Sequence, residues 1–151
     1  MDMQTYKQII KFAITNEEEA RRFYAEAADR VEDSYLKEMF TAFAAEEEKH
    51  RQILKNVYIS NRIGEYFDHR SDFKVAETVA KPEVSSRMKP ADAIALAMKN
   101  EEEAMQQYTR LAQECPDEEQ RRVFLDLAAM ERGHKLKMEK AFVDIGYPEV
   151  W

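Results

Sequence analysis

The chain has little of what most protein classes need: one cysteine, three glycines and four prolines in 151 residues. A lone Cys115 can form neither an internal disulfide nor a four-cysteine metal centre, which fits a reducing compartment and removes whole classes of metalloprotein. So few Gly and Pro leave little material for turns, which nearly excludes an all-β fold and favours long helices with few connections. No apolar run approaches the roughly 20 residues that span a bilayer. The opening Met1-Asp-Met-Gln-Thr-Tyr6 has neither the basic nor the apolar part of a signal peptide, so a cytoplasmic protein without a membrane partner is expected. Positive charge is in deficit: 23 Lys and Arg stand against 30 Asp and Glu, for a net charge of -7. That sign disfavours a phosphate backbone, and no nucleic-acid partner is expected.

What is present is 44% hydrophobic and 35% charged residues, enough for one all-α domain over residues 1–151. An internal repeat organises it. Asn16-Glu-Glu-Glu-Ala-Arg-Arg-Phe-Tyr24 recurs 84 residues later as Asn100-Glu-Glu-Glu-Ala-Met-Gln-Gln-Tyr108. At the same displacement, the segment from Phe40 to His50 aligns without a gap on the segment from Phe124 to His134. One two-helix unit occurs twice, and two helical hairpins facing each other close a four-helix bundle. Cap and stop signals at Asp33 or Ser34, Pro90, Pro116-Asp117 with Gln120, and Gly146 with Pro148 place helices at about 3–31, 34–60, 90–114 and 118–145. The first hairpin then covers about 3–60 and the second about 90–145. The stretch of about 61–89 carries Gly64, Pro82 and Ser85-Ser86 and is long enough to return along the bundle as a crossover. Short turns within each hairpin and one long connection between them give the topology of ferritin-like bundles.

Read at helical spacing, every apolar stripe is broken at its middle by a carboxylate: Glu17, Glu47, Glu101 and Glu131. Glu17 lies 15 residues before Glu32 and Glu47 lies 14 after Asp33, so each stands roughly 21–23 Å from that turn. Glu101 and Glu131 repeat the arithmetic about Pro116 and Asp117. All four meet at one level, joined by His50 and His134, because a Glu-x-x-His pair shares one helix face. Isolated ionised carboxylates in a dry core cost several kcal/mol each, and four together repel one another further. Two divalent ions supply +4 against the -4, while neutral imidazoles add ligands without charge. Oxygen and nitrogen donors without thiolate suit iron or manganese, with zinc able to substitute. The alternative is a metal-free bundle that keeps a protonated or salt-bridged polar layer.

Neighbouring Glu18, Glu19, Glu46, Glu48, Glu102 and Glu103 lie off the stripe and are expected to be solvated or paired. Tyr24 and Tyr108 recur two turns beyond Glu17 and Glu101, where their hydroxyls can orient ligand carboxylates or sit as satisfied core phenols. His69 reads as a loop histidine in the crossover, and Cys115 as a structural residue at a helix end.

Glu17-x-x-Ala20-x-x-x-Tyr24, Glu47-x-x-His50, Glu101 with Tyr108, and Glu131-x-x-His134 resemble the diiron domain of rubrerythrins, within the ferritin-like superfamily. The resemblance spans both hairpins. It implies that Glu17, Glu47, His50, Glu101, Glu131 and His134 hold two iron ions, with Glu47 and Glu131 as bridges. It implies a peroxidase that reduces hydrogen peroxide (dioxygen being the other oxidant), recharged by an external donor such as rubredoxin, in a homodimer that protects against oxidative stress. Rubrerythrins usually add a four-cysteine iron centre, which one cysteine cannot build, so any donor is a separate molecule. They also place an extra glutamate one turn past the third-helix ligand. Ala104 stands there instead, and Glu103 can replace it only through a bulge in the helix. Ferroxidase-linked iron handling is the alternative function. A diiron hydroxylase and a purely structural bundle come after it.

Overall fold

The computed structural model describes residues 1–62 and 89–146. Four helices follow in order: α1 (Met3–Arg30), α2 (Ser34–Ser60), α3 (Pro90–Glu114) and α4 (Glu118–Gly146). These bounds agree with the periodicity to within one residue. The segment read as a crossover, with His69, lies almost wholly outside the described residues. No helix of the described chain is long and apolar enough to cross a membrane.

Local chemistry sets the helix ends. The Asp2 carboxylate accepts from the Thr5 amide at 2.8 Å, and Asp33 accepts from the Leu36 amide at 3.0 Å, which selects Asp33 over Ser34 as the cap of α2. The Lys37 ammonium donates to the Ala28 carbonyl at 2.9 Å, placing a cation at the negative end of α1. Helix α2 stops at Asn61, whose left-handed φ of 61° is one that Asn tolerates better than most residues. At the second turn Asp117 accepts from the Gln120 amide at 2.9 Å. The return half of a capping box is replaced: Gln120 Oε1 lies 3.2 Å from Cys115 Sγ, and Arg121 donates to the Cys115 carbonyl. Cys115 is therefore part of the turn's hydrogen bonding, and it is buried.

Helix α1 packs along α2, α3 packs along α4, and α2 also meets α4 across the bundle. The apolar interior falls into two clusters. One gathers Tyr6, Ile10, Leu54, Val57, Phe124 and Leu127, and the other gathers Tyr24, Phe40, Phe43, Ile94, Met98 and Met138. Burying a side chain as large as Phe40 or Phe124, both fully enclosed, contributes about 1.5–3 kcal/mol. In all four helices the residue numbers of the two clusters flank the same level, where the four stripe-centred glutamates stand. The polar layer thus sits between two dry blocks that fix its height.

Two buried regions escape the stripe pattern. Residues Ala93 to Met98 of α3 are buried on every side, and α4 buries Lys135 and Glu139, one turn apart with 3.8 Å between charged atoms. The outer seam of α1 and α2 behaves as the off-stripe reading expects. Arg21 pairs with Glu18 and Arg51 with Glu48, each at 2.7 Å, and Arg51 reaches across to Glu18 at 3.4 Å. Half-buried surface pairs of this kind contribute little to stability, but they agree with the register of the hairpin.

Candidate metal centre

Each helix brings one carboxylate to the middle level, and α2 and α4 add an imidazole one turn further on. All six side chains are buried, Glu47 at 0% exposure, Glu131 and His134 at 1%. The structure brings together every residue that the stripes single out. His134 Nδ1 stands 2.6 Å from Glu47 Oε1 and 3.2 Å from Glu101 Oε1. His50 Nδ1 stands 3.6 Å from Glu17 Oε2 and 4.0 Å from both Glu47 Oε2 and Glu131 Oε2. Two overlapping ligand groups result, Glu47-His50-His134 and Glu17-His50-Glu131, each with donor atoms within 4.8 Å of one another.

The donor set fits a pair of cations. Both oxygens of Glu47, Glu131 Oε1, His50 Nδ1 and both nitrogens of His134 are buried without a hydrogen-bond partner. Leaving so many buried polar atoms unsatisfied costs about 1–3 kcal/mol each. Divalent ions would satisfy them together: Glu17 and His50 on one side, Glu101 and His134 on the other, with Glu47 and Glu131 facing both.

Titration follows the same crowding. Burial, then the nearby Glu101 and Glu17 charges, push the Glu47 carboxyl well above its usual value, and Glu131 rises for the same reasons. Burial also acts to raise Glu17, but the neighbouring Glu47, Glu131 and His50 outweigh it and leave Glu17 lowered. Glu101 is lowered too: against its burial stand His134 and the Glu131 and Glu47 carboxyls. For His50, burial favours the neutral ring, yet Glu17 and Glu46 prevail and raise it to about 9. Without metal at neutral pH, His50 therefore holds a proton that a cation must displace, and the raised Glu47 and Glu131 carboxyls favour their protonated forms more than free carboxyls do. Loading metal-free protein with Zn²⁺ in weak buffer at pH 7 is expected to release the His50 proton, together with whatever proton the raised Glu47 and Glu131 carboxyls carry. Apparent affinity should rise with pH toward the His50 value. A pH indicator that registers no release on loading would contradict this account.

Sequence spacing misses one supporting residue. Glu46, read as an off-stripe carboxylate, does pair with Lys137 of α4 at 2.9 Å, but it also lies 3.8 Å from His50 Nε2. His50 and Lys137 hold the Glu46 carboxyl well below the usual range, so it stays anionic behind the ring. A carboxylate at the outer nitrogen fixes the ring so that Nδ1 faces inward. The signal was available, since Glu46 precedes His50 by one helical turn. Behind His134 stand apolar rings, with Phe43 at 5.7 Å and Tyr24 at 6.3 Å between centroids.

Of the two phenols, Tyr24 finds its hydroxyl partner in the core. Tyr24 donates to the Met138 sulfur at 3.8 Å, and among the described residues no hydrogen bond joins Tyr24 or Tyr108 to a stripe glutamate. Both are buried close to the layer, and burial followed by the carboxylate charges raises their pKa well above that of a free phenol. Glu103 does not enter the layer either. Helix α3 runs through it without a bulge, and its side chain is exposed. Of the other off-stripe glutamates, Glu102 is buried and pairs with Lys99 at 3.3 Å.

Comparison with known proteins agrees with this geometry. No match was found among curated proteins. The solved structure of a hypothetical protein from Pyrococcus furiosus is similar, with 28% identity, a TM-score of 0.63, and coverage of 94% of this chain and 92% of that one. The rubrerythrin family model matches residues 8–142, which take in most of each of the four helices and all six residues of the layer. The chain belongs to the rubrerythrin family.

Proposed function

We propose that this protein is a non-haem diiron oxidoreductase that reduces hydrogen peroxide. The observation that carries the reading is the pair of carboxylates, Glu47 and Glu131, facing two Glu-His subsites inside one buried layer. A bound diferrous pair would supply one electron per ion, enough for H₂O₂ + 2 e⁻ + 2 H⁺ → 2 H₂O without release of a one-electron radical. The chain's own residues set the conditions for that chemistry. Burial and the neighbouring carboxylates raise Glu47 and Glu131, so they take up protons more readily than free carboxyls as the charge between the helices changes. Glu46, anchored by Lys137, keeps His50 oriented. Phe43 and Tyr24 exclude water from the far side of His134.

Iron is the proposed metal, with manganese or zinc able to occupy the same donors. The single cysteine of these 151 residues cannot build an iron–thiolate relay, and the proposed electron donor is a separate small redox protein such as a rubredoxin. A homodimer in the reducing cytoplasm completes the proposal.

The test is anaerobic stopped-flow mixing of diferrous protein with hydrogen peroxide. One equivalent should oxidise both irons in a single fast phase, and excess reductant should sustain repeated cycles. No oxidation by peroxide would remove the peroxidase reading. Many irons accumulating per chain without peroxide turnover would replace it with iron handling.

A further inference from the structure

The two seams that run past the metal layer are built differently. At the third position after the ligand glutamate, α2 and α4 carry His50 and His134, whereas α1 and α3 carry Ala20 and Ala104. Between α2 and α4 the two imidazoles meet edge to face at 5.1 Å, and the Glu46–Lys137 pair crosses outside them. That seam is shut.

Between α1 and α3, methyl groups stand where the rings would be, and the helices leave space. A cavity of about 400 Å³ opens there, with Glu17, Glu47, Glu101 and Glu131 at its inner end and Ala20 and Ala104 in its walls. A second of about 340 Å³ adjoins it and shares Glu17, Glu131 and Ala104. A single water occupies about 30 Å³ of liquid, so both are wide enough for hydrated ions or small oxidants. Neither cavity is lined by a lysine or arginine among the described residues, whereas three arginines line the outer groove between α1 and α2. At the mouth stand the repeat-related pairs Asn16 with Asn100 and Glu19 with Glu103.

We infer that the α1–α3 seam is the access route to the centre, gated by Ala20 and Ala104 and selective for cations and small neutral molecules over anions. The inference rests on the dimetal reading and adds to it the path and the charge class of what arrives. A neutral peroxide passes this mouth. An anionic oxidant meets the Glu19 and Glu103 carboxylates and then the acidic layer itself.

The experiment measures Co²⁺ uptake by metal-free protein through its visible absorbance, and its removal by excess EDTA. The unaltered chain is compared with Ala104→Phe from one wall and Ala20→Leu from the other, with Ala45→Leu on the outer groove as control. Both wall variants should bind the same final amount of Co²⁺ but take it up and release it about tenfold or more slowly, as expected for an obstructed gate. The control should match the unaltered chain. Glu19→Lys should slow uptake at low salt and lose that effect at high salt. Unchanged rates in whichever wall variant folds, judged by its helical circular dichroism, would overturn the route. Unchanged uptake in Glu19→Lys would overturn the charge selection. Failure of the unaltered chain to bind Co²⁺ would instead overturn the dimetal reading, and the route with it.

Discussion

Stripping the metal from purified, metal-loaded protein is expected to lower its thermal midpoint by roughly 15 °C or more, with the drop widening as pH rises. An ion held at about a thousand times its dissociation constant stabilises the folded state by about 4 kcal/mol, and two such sites by about 8. For a chain of this length each kcal/mol moves the midpoint by roughly 2–4 °C. The pH trend follows from the shifted groups. Glu47 and Glu131 are raised above their usual value of 4.5, so their contribution to the metal-free fold is present below about that pH and lost as pH rises toward their folded values. His50 is raised from 6.5 to about 9, so its contribution is complete below 6.5 and lost on passing 9. All three groups weaken the metal-free protein in the alkaline direction, while metal binding strengthens in that direction because fewer protons must be displaced. Thermal melts at pH 6 and pH 8, with and without chelator, read both trends. An equal midpoint with and without bound metal would mean that the ions lie outside the layer.

Replacing Glu47 and Glu131 together by leucine should move stability and metal content in opposite directions. Bound metal should fall from two ions to none, because both proposed cation positions lose their shared ligands. The metal-free double variant should be more stable than the metal-free parent by roughly 1–4 kcal/mol, as found when buried charges give way to apolar residues of similar volume. Glu47 is fully enclosed and Glu131 nearly so, between two apolar clusters that leucine would join. His134→Ala supplies the contrast. It should also lower metal content, but it removes ring packing against Phe43, Tyr24 and His50 and so should lower stability with or without metal. A double leucine variant less stable than the metal-free parent would show that the carboxylates are structural partners rather than a repelling set held together by ions.

The level of the layer was legible because helix rise is constant. Counting from Asp33 and from Pro116 places Glu17, Glu47, Glu101 and Glu131 at one height without knowledge of any contact. The repeat supplied the hairpin pairing by the same kind of counting. What counting along one helix cannot supply is lateral detail. Whether Tyr24 reaches a carboxylate or the Met138 sulfur depends on which side chain of α4 stands opposite. The role of Glu46 depends on its own position before His50 and on Lys137 from another helix. The shut and open seams depend on the bulk at position three after each glutamate, summed across a pair of helices. The pattern of His against Ala was in the sequence, but its meaning required knowing that α2 faces α4. The burial of Lys135 and Glu139 contradicts the pattern of a single apolar stripe, and nothing in α4 alone announces it.

The proposed site for two metal ions takes six side chains from four helices. Its most direct measurement is an anaerobic titration of metal-free protein with Fe²⁺, followed by elemental analysis after removal of unbound ions, on the parent chain and on the Glu47→Leu, Glu131→Leu double variant. The account predicts two tightly held irons per chain in the parent and none in the variant. Iron that does not bind the parent, or that binds the double variant equally, would contradict it.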